Sequence, residues 1–245
     1  MITLLEGIKV TKYFGGLAAV KDVEFKVGEK ELVGLIGPNG AGKSTLFNCI
    51  SGIYRPTSGT IKFNGEEITD LKPDEICRRG IGRTFQLVRP FLEMTALENV
   101  IVAARFGCGT RTSLSDARRS ALDHLEFVGI SEKKDKMARD LTLHERRFVE
   151  IARALATKPE VVLLDEVLAG LNPTETTEAM GLIRRIRNDL GVTVFWVEHV
   201  MKAVMGTAER IMVLHHGEKI AEGTPSEIVK NEDVVKAYLG EKYLF

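Results

Sequence analysis

Glu31-Leu32-Val33-Gly34-Leu35-Ile36-Gly37, running on into Pro38-Asn39-Gly40-Ala41-Gly42-Lys43-Ser44-Thr45, is the stretch that decides the fold. Residues 31–37 are a short, nearly unbroken apolar run ending in glycine, which suits a strand buried on both faces. Residues 37–44 then read G-x-x-x-x-G-K-S, and a helix is predicted from Lys43 to about Ser51. A glycine-rich turn between a strand and a helix lets backbone N–H groups wrap a phosphate, with the unpaired amides of the helix start aimed at it. In such a loop Lys43 supplies a positive charge to the β- and γ-phosphates and Ser44 offers a hydroxyl to Mg²⁺. These residues, Gly37 to Thr45, are the primary nucleotide-binding candidates.

Working outward, strand-like patches cover 3–12 and 19–27, where VEFKV alternates, and TIKF at 60–63 reads as a strand closed by the Asn64-Gly65 turn. From Leu87 to Thr157 the pattern turns helical. Leu114, Ala117, Ala121, Leu125 and Val128 recur at helical steps behind Ser113 and Asp116, a candidate capping box. Phe148, Ile151, Ala152 and Leu155 share one face of another helix. The chain then alternates again: VVLLD as a buried strand, a helix from Pro173 to about Asp189 signposted by Asn172 and Glu175, GVTVFWVEH as a strand, and a short helix. A hairpin is predicted to turn at His215-His216-Gly217, with one or two small helices at the end.

Val161 to Leu164 leads into Asp165-Glu166, two carboxylates at the C-terminal end of a buried strand, where ligands gather in open α/β sheets. Asp165 is placed to hold a Mg²⁺ shell. Glu166 is placed to orient or deprotonate a water in line with a γ-phosphate.

At 245 residues the chain is long for one domain of roughly 150 but short for two. Its 34 Lys and Arg balance 34 Asp and Glu, so overall charge points to no nucleic-acid partner. Cys49, Cys77 and Cys108 form neither a C-x-x-C pair nor a disulfide framework, and read as reduced thiols of the cytosol. No apolar run approaches the roughly 18 residues of a membrane span.

With these landmarks in order, the sequence resembles the ATP-binding subunits of ABC transporters along essentially its whole length. The resemblance implies an α/β P-loop NTPase core of RecA-like type with an antiparallel β-subdomain and an inserted helical subdomain. It implies one cassette over 1–245, with the core at 1–86 and 158–245 and the helical part at 87–157. Gln86, in IGRTFQ, matches the glutamine that touches Mg²⁺ and water and couples to the membrane subunit. His199, in WVEH, matches the switch histidine at the γ-phosphate, Ala169-Gly170-Leu171-Asn172 matches the D-loop, and Phe14, in KYFGGL, matches the aromatic that stacks on adenine. FGGLAAVKDV at 14–23, AGLNP at 169–173 and the ending GEKIAEGTPSEI…AYLGE are similar to branched-chain amino acid importers. ATPases of lipopolysaccharide export share that tail but usually lack FGGL.

The resemblance further implies ATP and Mg²⁺ as cofactors, a second cassette, membrane permease subunits and, through the complex, a periplasmic or extracellular binding protein. The chain would then sit on the cytoplasmic face of the membrane. One motif departs. Where the family carries LSGGQ, this chain has Leu141-Thr142-Leu143-His144-Glu145. Thr142 keeps a hydroxyl for the partner's γ-phosphate, but both glycines and the glutamine are gone; Val167 stands where proline is frequent. The altered signature implies a heterodimer rather than a homodimer. It also motivates a weakly hydrolysing regulatory module as an alternative, against which stand Glu166 and His199. A translation or DNA-repair role fits less well, because such proteins carry two cassettes or a coiled-coil insert.

Overall fold

Strand β3 (Leu32–Ile36) is buried at every residue, as its unbroken apolar run requires. The computed structural model describes residues 2–107, 109 and 112–239; Cys108 and the Gly240-Glu241 end of the tail lie outside them. Before β3 come β1 (Thr3–Phe14) and β2 (Leu17–Gly28), longer than the predicted patches because they close into a hairpin pairing Phe14 with Leu17. After it come α1 (Lys43–Ile50), β4 (Ser58–Phe63), β5 (Glu66–Glu67), α2 (Pro73–Arg78) and β6 (Ile81–Arg83). The two short elements α2 and β6 are not foreseen in the sequence, since three residues of an edge strand hold too little periodicity to read.

Next follow three helices, α3 (Ala96–Phe106), α4 (Leu114–Val128) and α5 (Leu143–Ala156), which pack on one another. Thr95 caps α3, accepting from Glu98 N at 3.1 Å while Glu98 accepts from Thr95 N. Ser113 caps α4 in the same way, but its hydroxyl also donates to the Asp116 carboxylate at 2.6 Å, in place of the reciprocal backbone bond of a capping box. The chain returns through β7 (Val161–Asp165), α6 (Pro173–Leu190), β8 (Thr193–Val197), α7 (Met201–Thr207), β9 (Arg210–His215), β10 (Glu218–Gly223), α8 (Pro225–Lys230) and α9 (Glu232–Leu239).

Two sheets result. β2-β1-β4-β5 is antiparallel, and β10-β9-β3-β8-β7-β6 is parallel except for β10. One core, holding Leu46, Phe47 and Ile50 of α1 with Val10, Phe25 and Phe195, joins the sheets around α1. The other joins the far face of the parallel sheet to α3–α6 through residues such as Trp196, Ile183 and Val149. With both faces covered, the strands β3, β7 and β8 have no polar face, which is why they read as apolar runs rather than alternating ones. Among the described residues no helix is long and apolar enough to cross a membrane.

Candidate functional site

The segments that follow β3 and β7 meet a cavity of about 350 Å³ lined by Leu17, Ala18 and Ala19 of β2, residues 39–45, Gln86, Glu166 and His216. The loop after β3 is shaped by glycines. Gly37 has φ 154° and a Cβ there would lie 2.1 Å from the Leu214 carbonyl oxygen; Gly42 has φ 101° and would bring a Cβ to 2.3 Å from Ala19 O. A side chain at either position would push the loop off its neighbours. Lys43 Nζ donates to the carbonyls of Gly37 at 2.7 Å and Pro38 at 3.0 Å, so Gly37 and Pro38 act on the lysine rather than lining the cavity. Burial pushes the Lys43 ammonium down from its ordinary value, against the pull of Glu166 and Asp165.

Glu166 follows β7 with φ 49°, a left-handed backbone that a glutamate adopts only under constraint, here the bond from its N–H to Val197 O at 2.9 Å. Its Oε2 accepts from Gln86 Nε2 at 2.7 Å and lies 3.9 Å from His199 Nδ1. Residues 80 and 33 positions away in sequence thus converge on one carboxylate. Asp165 sits behind, its Oδ2 accepting from Arg83 Nη2 at 3.1 Å while Thr84 Oγ1 accepts from its N–H. Burial drives its carboxyl up from the usual range despite Arg83.

Asp165 Oδ1 is buried with no hydrogen-bond partner. That orphan carboxylate oxygen, the Ser44 hydroxyl and the Gln86 amide oxygen are hard oxygen donors of the kind Mg²⁺ prefers, so the residues present fit that ion by the chemistry of their donors.

Besides Gly37, Pro38 and Asp165, three of the residues singled out in the sequence are not among those lining the cavity: His199, which lies beside Glu166, Phe14 and Thr142. Phe14 lies at the tip of the β1–β2 hairpin, 43% exposed, its ring edge-on to Tyr54 at 5.2 Å between centroids and 5.3 Å from Lys12 Nζ. Thr142 caps α5: its hydroxyl accepts from Glu145 N at 3.2 Å, and the Glu145 carboxylate accepts from Thr142 N at 2.8 Å. Of the side chains that replace the signature glycines, His144 folds back onto Phe148, ring centroids 4.2 Å apart, with Nε2 3.4 Å from Glu178. Leu143 is 45% exposed and lies against Gly170.

Sequence reasoning missed three groups here. Glu198 is fully buried, and its carboxylate accepts from Leu168 N at 2.8 Å and His199 N at 3.1 Å, tying the segment after Glu166 to the histidine. Arg83 bridges Ser51 and Asp165. His216 completes the cavity wall. A glutamate ending an apolar strand was the available signal for Glu198, whereas nothing local marked His216.

The chain is similar in sequence and fold to known proteins. The ABC transporter family model matches residues 20–169, and that of the branched-chain amino acid ATP-binding cassette transporter matches 218–243. The chain is 45% identical over 250 residues, 97% of this chain and 98% of the relative, to the high-affinity branched-chain amino acid transport ATP-binding protein BraF of Pseudomonas aeruginosa. Identity to the lipopolysaccharide export system ATP-binding protein LptB of Haemophilus influenzae is 35%, covering 99% of each. The fold superposes with TM-score 0.82, at 30% identity over 91% of this chain and 99% of the other, on the dimeric structure of a post-hydrolysis state of an ATP-binding cassette bound to ADP and Pi. The chain belongs to the ATP-binding subunits of ABC transporters, ATPases that power transport, in the branch of the branched-chain amino acid transport ATP-binding proteins.

Proposed function

We propose that the chain hydrolyses Mg²⁺-ATP in the cavity after β3 to drive import of branched-chain or related amino acids through membrane permease subunits. The observation that carries this is the Glu166 carboxylate on the cavity wall, held by Gln86 Nε2 at 2.7 Å. ATP binds with its phosphates against the amides of residues 39–45, and Lys43 exchanges the Gly37 and Pro38 carbonyls for phosphate oxygens. Ser44, Asp165 and Gln86 would hold Mg²⁺, which would supply positive charge to offset that of the triphosphate. Glu166 takes a proton from water as its oxygen bonds to the γ-phosphorus and the β–γ bridge breaks, giving ADP and phosphate. His199 steadies Glu166 and the γ-phosphate, and Glu198 positions His199. Phe14 receives the adenine beyond the hairpin tip.

The cassette works as one half of a dimer, with the helical part at 87–157 reaching the partner and the permease, and the core at 1–86 and 158–245 holding the nucleotide. In such a dimer Thr142 and the start of α5 would face the partner's γ-phosphate. Here the Thr142 amide is occupied by a carboxylate, Glu145, which repels phosphate, and Leu143 stands where close backbone approach is needed. Those features favour a second, different cassette with an intact signature, so that catalysis concentrates at this chain's own phosphate loop. The permease contacts keep the chain on the cytoplasmic face of the membrane, and an external binding protein delivers substrate.

The test is to purify the complex that this chain forms with its membrane subunits and measure ATP hydrolysis as leucine, isoleucine or valine is supplied with the binding protein. Stimulation by these amino acids supports the assignment. Stimulation by lipopolysaccharide instead, against the lower identity to that relative, would overturn the substrate while keeping the ATPase.

A further inference from the structure

We propose that His216 contacts the ribose of the bound nucleotide and contributes to selection of a nucleoside triphosphate over a bare polyphosphate. The inference rests on the reading of the cavity as the ATP site. Sheet order gives the direction in which the nucleotide lies. The phosphate loop follows β3; β7, which carries Asp165 and Glu166, lies on one side of β3 beyond β8, and β9 lies on the other. With the γ-phosphate drawn toward Glu166, the nucleoside extends toward the β9 side. That side is walled by Leu17–Ala19 and by His216 at the turn between β9 and β10.

The turn is anchored to both neighbours of the nucleotide. Gly217 N donates to Ala41 O at 3.0 Å in the phosphate loop, and Lys21 N donates to Gly217 O at 2.8 Å. A Cβ at Gly217 would lie 3.0 Å from Ala19 O and 3.1 Å from Ala18 O, so the turn sits directly on the start of β2. Leu17 to Ala19 lie between the Phe14 tip, where the base is expected, and the phosphate loop. His216, which precedes Gly217 and lines the cavity together with Leu17, Ala18 and Ala19, therefore stands at the level of the sugar.

The side chain is suited to that position. His216 is exposed, and its backbone is left-handed at φ 49°. Its ring lies 4.0 Å, centroid to centroid, from that of His215, which restricts its swing. Among the described residues no hydrogen bond or ion pair engages either ring nitrogen. A neutral imidazole offers one donor and one acceptor, matching the vicinal ribose hydroxyls.

The experiment is equilibrium calorimetry on the full chain with ATP, 2′,3′-dideoxy-ATP and inorganic tripolyphosphate, comparing wild type with His216→Gly and His216→Asn. Both replacements suit a left-handed backbone and remove the imidazole. The expected result is ATP binding weakened about fivefold in both variants, the scale of one hydrogen bond, with tripolyphosphate binding unchanged. The preference of wild type for ATP over the dideoxy nucleotide should disappear in the variants. Unchanged ATP affinity, an equal loss on tripolyphosphate, or a loss in His216→Gly alone would each overturn the proposal. Wild-type protein that binds no ATP would overturn the ATP site as well, whereas tight wild-type binding with indifferent variants removes only His216.

Discussion

Glu166→Gln separates the chemistry of the site from its architecture. The glutamate Oε2 accepts from Gln86 Nε2 at 2.7 Å, and an amide keeps an oxygen that can accept the same bond, so the side chain should keep its place. What it loses is the capacity to take a proton from water, together with a negative charge facing the γ-phosphate. Removing a general base normally slows turnover by ~10² to 10⁴, about 3 to 5 kcal/mol in the barrier. ATP affinity should hold or rise, because a like charge has been withdrawn from the triphosphate. Single-turnover hydrolysis of radiolabelled ATP by the assembled complex reads the first quantity, and equilibrium binding reads the second. A hydrolysis rate within about threefold of wild type would remove Glu166 from the base role. Loss of ATP binding would show instead that the carboxylate supports the loop geometry.

Phe14→Ala should weaken ATP binding by ~1 to 3 kcal/mol, the worth of one base-stacking platform, and leave tripolyphosphate binding untouched; equal losses on both ligands would mean that the hairpin tip, packed on Tyr54, had been damaged. This chain alone should be a slow ATPase over a wide concentration range, since losing one transition-state donor costs ~10²- to 10³-fold, and both sites of a homodimer would carry the altered signature. In the assembled complex Lys43→Ala should abolish most turnover while the same change in the second cassette matters less; rapid hydrolysis by this chain alone would show that Thr142 and the start of α5 suffice. Glu150, buried in α5 where Arg147, Arg153 and the Phe85 amide face it, has its carboxyl pushed up to about 7 by burial. Because the folded-state value is raised, its contribution to stability is complete below pH ~4.5 and lost as pH rises through about 7, a cost that accumulates to about 3 kcal/mol. Glu150→Gln should flatten that part of the profile in denaturant titrations between pH 5 and 8, and identical profiles for the two proteins would refute the argument.

The phosphate loop was legible from the chain itself because everything that shapes it is local: an apolar run, glycines at defined spacing, and a helix start, all within fifteen residues. The same holds for Asn172 as a cap, since a cap and its partner lie three positions apart. Asp165-Glu166 was readable as a pair for a related reason, the abrupt change from the apolar run Val161 to Leu164 to two adjacent carboxylates. Which groups meet those carboxylates was decided only by the sheet. Strand order places Gln86 beside Glu166, Arg83 beside Asp165, and His216 on the opposite wall, and no periodicity in the sequence encodes who becomes whose neighbour. The signature segment shows the same division. Its missing glycines were visible in the sequence, but the folding of His144 onto Phe148 and the occupation of the Thr142 amide by Glu145 depended on packing and capping geometry. Local backbone preferences are written residue by residue, whereas the contacts that assemble the site arise from burying apolar faces of distant segments against one another, and only the folded chain specifies them.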